Sequence, residues 1–200
     1  MMNAPANQPW FLRGMEAVAM ALALAAGLAV AILSILIGVD IAGRSLFGQS
    51  LQGTDELGEY TLALCGSFGL SYTLLAKGHP RIDLGLRILP SRLQDILHVV
   101  ALAAICTMGL FMSWHAWGEL SQTLKFGTVT NTPLQTPLWI PQSMWFLGMA
   151  FFALTGLATT LHSLFLLVRA PDEVARFYAP ATIEDEVEDY IDESHKEVSA

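Results

Sequence analysis

From Ala17 to Val39 the chain runs without a single charged residue, and this constrains its fold more than any other feature. A hydrocarbon core about 30 Å thick, crossed at about 1.5 Å per residue, needs about 20 apolar residues whose amides are bonded within the helix. Three further stretches meet the requirement: about Leu57 to Ala76, Ile96 to Gly118, and about Ser143 to Val168. The apolar residues come in blocks rather than alternating with charge, so they are not the inner faces of amphipathic elements in water. The composition, 54% hydrophobic and 14% charged, agrees. The expected fold is an all-α membrane protein with four transmembrane helices.

The boundaries follow from charge and proline. Asp40 and Arg44 close the first span, Lys77 and Gly78 the second, and Arg169 and Pro171 the fourth, while the third lies between Asp95 and Glu119. Between Lys125 and Arg169 there is no charge, a stretch too long for one helix. Pro133, Pro137 and Pro141, with Thr128, Thr130, Thr132 and Thr136, mark an irregular approach to the last span. The apolar stretch after Arg13 is too long for a signal-peptide core and is read as a retained span.

Four spans put both termini on one side. Arg13, Lys77, Arg81, Arg87, Arg92, Arg169 and Arg176 lie near the termini and the middle loop, against Arg44 and Lys125 opposite. The positive-inside rule therefore places both termini in the cytoplasm. Trp114, Trp117, Trp139 and Trp145 then gather at the outer interface, and Trp10 with Phe11 marks the inner one. Residues 81–97 interleave apolar residues with Arg87, Arg92 and Asp95, as an amphipathic cytoplasmic segment between helices 2 and 3 would, or a plain basic loop. Pro90 breaks it, and Ser91 is a candidate N-cap of the third span.

Residues 1–171 hold eight basic and eight acidic side chains, and residues 172–200 two basic and ten acidic. The chain thus reads as a neutral transmembrane domain, 1–171, and an acidic cytoplasmic tail, 172–200. Within the tail Ile183, Val187, Tyr190 and Ile191 stand at helical spacing, which allows a short docking helix or a solvated strip. No basic footprint for nucleic acid is present. Cys65 and Cys106 fall inside apolar blocks, as packing residues do.

Asp55, Glu56 and Glu59 cluster where the second span begins, with Glu56 and Glu59 three apart on one helix face. A carboxylate at membrane depth is costly unless paired or at the interface, and Arg44 is the expected partner in a helix-to-helix ion pair; a cation or proton site is the alternative. His98 and His162 lie at matching depths, with His115 at the other face, so a haem- or quinone-binding anchor of an electron-transfer complex is the rival functional reading. Small residues at Ala17–Ala31, Ala63, Ser67, Ser71, Gly156 and Thr160 would let helices approach closely, within the chain or against another subunit. No nucleophile–base pair, phosphate loop or zinc spacing appears, so neither an enzyme nor a bound cofactor or metal is expected.

The runs GVDIAGRSLFGQSLQGTDELGEY (Gly38 to Tyr60), GHPRIDLGLRILP (Gly78 to Pro90) and LWIPQSMW (Leu138 to Trp145), set among four apolar spans, resemble the small permease subunit of tripartite ATP-independent periplasmic (TRAP) transporters, the DctQ-type family. The matching positions are Arg44 with Phe47, Glu56-Leu57, His79, Asp83, Leu89-Pro90 and Ile140-Pro141. Gly53 departs from the pattern, which often has an aromatic there. The resemblance implies a bacterial inner-membrane scaffold for a large TRAP permease subunit, with a periplasmic solute-binding protein and membrane lipids as further partners. It also implies sodium-coupled uptake of an organic acid. Arg44, Asp55, Glu56, Glu59, His79, Asp83, Pro90 and Pro141 are its structural or interface candidates.

Overall fold

The computed structural model describes residues 9–78 and 89–178. Four long helices, α1 (Trp10–Phe47), α2 (Thr54–Leu75), α3 (Ser91–Phe126) and α4 (Trp139–Arg169), are followed by a short α5 (Pro171–Tyr178). Among the described residues there is no strand, and one isolated bridge joins Val129 to Pro137. By length and composition α1, α3 and α4 could each cross a membrane.

The helices outrun the apolar stretches. α1 covers 38 residues and α3 covers 36, about 57 and 54 Å of rise, so both exceed a hydrocarbon core of about 30 Å. Charge ends the apolar stretch without ending the helix. The helices stop where the backbone turns left-handed, at Gly48 (φ 66°) and Gly127 (φ 62°), or where Pro171 removes an amide. α4 begins at Trp139 rather than Ser143, because Pro141 sits in its first turn, where the amide it lacks would have no intrahelical acceptor. Pro90 itself takes the N-cap position of α3. Ser91 is the first helical residue and makes no capping bond, a correction to the expected cap; the Gln94 side chain instead donates to the Leu89 carbonyl at 2.8 Å.

Contacts between helices run α1 with α2, α2 with α4 and α4 with α3, so α1 is an edge helix. It buries only Leu12, Ala19, Ala26 and Asp40, positions at multiples of seven that form one narrow seam. The alanines bring its backbone close to α2. The flanks of that seam stay apolar and exposed, with Leu24, Leu28, Ile32, Ile35 and Ile41 among them.

The α2–α4–α3 contacts are tighter. A Cβ on Gly148 would lie 2.7 Å from the Ser67 side chain, and one on Gly156 would lie 3.1 Å from the Cys106 Cα. Ser67, Ser71, Thr155 and Ser163 are fully buried there. Thr155 and Thr159 return their hydroxyls to carbonyls one turn back on α4, which satisfies them without water. The small-residue positions Ser67, Ser71 and Gly156 are therefore spent inside the chain, whereas Ala63 faces outward. On the α2 side of these contacts, Ser67 lies against Gly148.

Two ends result. The loop end carries residues 48–53 and 127–138. The basal end carries Trp10, the α2 terminus, the start of α3, and α5. At the basal end Val174 and Tyr178 join Leu74, Val99, Leu102, Phe152 and Leu166 in one apolar core.

Candidate functional site at the loop end

The site is built around Glu56, in the first turn of α2, where a carboxylate meets the positive end of the helix dipole. It is 3% exposed, so its charge must be met by donors rather than by water. Tyr60, one turn on, donates its hydroxyl to Oε1 at 2.5 Å. Two more donors come from more than seventy residues away: Thr130 reaches Oε1 at 3.0 Å, and Thr132 donates to Oε2 and shares a 2.8 Å contact with Thr130. Every donor is a hydroxyl.

The 127–138 segment can deliver those hydroxyls because it folds back on itself. The Thr130 amide bonds the Thr136 carbonyl at 3.0 Å, and the Leu138 amide bonds the Thr128 carbonyl at 3.2 Å. Gln135 supports the reversal with φ 47°. Leu134, near the tip, packs on Gly53, the N-cap of α2. Gly53 has φ 89°, and a Cβ there would lie 2.3 Å from Leu134 Cδ1. A side chain at this position would displace Leu134 in this chain.

Beside this lock a second carboxylate shapes the turn between α1 and α2. Asp40, 5% exposed, accepts from the Ser50 hydroxyl at 2.8 Å and the Leu51 amide at 2.6 Å. It also accepts from Arg44 at 2.6 Å.

The expected ion pair between Arg44 and the Asp55, Glu56 and Glu59 cluster is therefore corrected. Arg44 pairs with Asp40, one turn back on its own helix, where a partner needs no chain closure. Its side chain remains 64% exposed. Within the acidic cluster Glu56 is buried, while Asp55 and Glu59 are exposed. Pro90 and Pro141 serve helix starts at opposite ends. His79 and Asp83, most of the proposed amphipathic segment, and the apolar residues of the tail lie outside the described residues.

At the basal end His162 is enclosed by aromatics. The Tyr178 hydroxyl lies 2.7 Å from its Nδ1, and the Phe11, Phe177 and Tyr178 rings lie 6.1, 5.7 and 5.8 Å away. Burial pushes the Tyr178 hydroxyl well above its ordinary range, so it stays protonated. His98 is buried in α3, and His115 packs against Phe111 at 4.4 Å. Among the described residues no three His, Cys, Asp or Glu side chains converge as a metal would require.

Tyr60, Thr130, Thr132, Leu134 and Tyr178 were not singled out for these roles by sequence reasoning. Two signals pointed to them. Tyr60 stands four residues after Glu56, and Val174, Phe177 and Tyr178 form an apolar face just beyond Pro171.

These features define a class: a small, helical integral membrane protein whose buried polar groups brace its own loops. Within that class the chain belongs to the DctQ component family of tripartite ATP-independent periplasmic transporters, whose pattern matches residues 33–166. It is a transporter subunit and not an enzyme. No curated protein and no solved structure matches it.

Proposed function

We propose that this chain is the scaffold subunit of a TRAP transporter. It spans the bacterial inner membrane four times with both termini in the cytoplasm, and supports sodium-coupled uptake of an organic acid by a large permease subunit and a periplasmic binding protein. α2 is the fourth span, kept in lipid by α1 on one side and α4 on the other. In this orientation the loop end faces the periplasm, and Trp114 and Trp117 in the second half of α3 and Trp139 at the start of α4 meet the outer interface. The exposed apolar flanks of α1 face lipid and the large subunit.

The observation that carries the reading is the family match across residues 33–166, joined to a described interior closed by small residues, with Ser67, Thr155, Thr159 and Ser163 bonding carbonyls of their own helices. Such an interior offers a solute no path, so a supporting role follows. Asp55 and Glu59, exposed around a rigid Glu56 lock, are the interface candidates on the periplasmic rim. The test is co-purification with the cognate large permease subunit in detergent. Glu56→Gln is expected to lower recovery of the complex severalfold while leaving the sodium dependence of uptake by the surviving complex unchanged. Full assembly with a shifted sodium requirement would assign Glu56 to the ion pathway instead.

A further inference from the structure

The basal end contains a relay that the scaffold role does not require. α5 packs on α3 and α4. Its Val174 is completely buried in their apolar core, and the chain enters it through a sharp break at Ala170 (φ −152°, ψ 69°) followed by Pro171. Its last residue reaches His162 on α4 through the Tyr178 hydroxyl. The His162 ring also meets Phe11, at 6.1 Å and 79°, the edge-to-face geometry that aromatic pairs favour. Phe11 stands in the first turn of α1, the helix with the least of its surface buried. Most of the contacts of α1 among the described residues run along α2.

We propose that α5 is a latch for α1. By bonding His162, Tyr178 fixes the ring against which Phe11 packs, so the attachment of α5 sets how firmly the base of α1 is held. α5 thereby acts on α1, the edge helix whose flanks stay apolar and exposed. The inference rests on this chain's own contacts and stands whether or not the transporter assignment holds.

Hydrogen–deuterium exchange on the full chain in lipid nanodiscs tests it. Tyr178→Phe keeps the ring and removes the bond. Exchange should quicken by roughly fivefold to tenfold, the effect of losing one internal hydrogen bond, both in α5 and in the first turns of α1, with the Asp40–Phe47 end of α1 unchanged. Phe11→Leu should quicken the base of α1 alone or with a small effect on α5. In the double variant the base of α1 should exchange no faster than in Phe11→Leu, because the relay is already cut. Three results would each overturn the latch: faster α5 with an unchanged α1, a uniform rise across all helices, or double-variant effects at α1 that multiply.

Discussion

At the loop end Glu56 gathers hydroxyls from Tyr60, Thr130 and Thr132, while at the basal end Val174 and Tyr178 close the molecule mainly with carbon against Leu74, Val99 and Leu166. Both ends join distant parts of the chain, but they depend on different physics. A buried carboxylate is directional and fails when one partner is removed, because desolvated groups are then left unmatched. An apolar cap loses stability in proportion to the area and packing removed. The loop end is therefore the part with one allowed shape, which suits a surface that others must recognise, and the basal end is the part that can give.

The largest effect expected is at Gly53. Gly53→Val forces a branched residue into φ 89° and drives it into Leu134, at a combined cost of about 3–4 kcal/mol. Thermal unfolding in detergent should show it, and limited proteolysis should cut first within 127–138. Glu56→Gln comes next, at about 2 kcal/mol, because the Thr132 hydroxyl then faces an amide. At the other end Val174→Ala should cost about 1–2 kcal/mol by loss of packing alone, with no new proteolytic site in 127–138. Arg44→Ala should cost about 0.5 kcal/mol or less, since the guanidinium is largely exposed and Asp40 keeps Ser50 and Leu51 as donors. The smallest expected quantity sharpens the comparison most: Glu56→Gln combined with Val174→Ala should add to within about 0.5 kcal/mol, because the two ends share no partner. A larger coupling in the same melting experiment would mean that the ends are not independent.

The long helices were legible because uncharged stretches of twenty residues leave lipid as their only solvent. Their true ends were not, since Asp40 and Arg44 stop hydropathy but not hydrogen bonding, and the helix runs on to a left-handed Gly48. Glu56 stood out in the sequence as a costly carboxylate. Its partners did not, because spacing along a helix reveals Tyr60 but cannot say that a threonine-rich loop folds back across the α2 terminus. Arg44 was misassigned for a related reason. An opposite charge on a neighbouring span looked available, yet Asp40, four residues back, was closer and already fixed on the same face. The apolar face of α5 lay in plain view after Pro171 and was hidden only by the acidic composition of the segment that follows it.

The central claim is that this subunit supports transport without conducting it. Its most direct test is uptake of a labelled organic acid into sealed vesicles under an inward sodium gradient, with the cognate binding protein outside. Vesicles holding this chain alone should accumulate nothing above protein-free controls, and uptake should appear only when the large permease subunit is reconstituted with it. Sodium-driven accumulation by this chain alone would contradict the account.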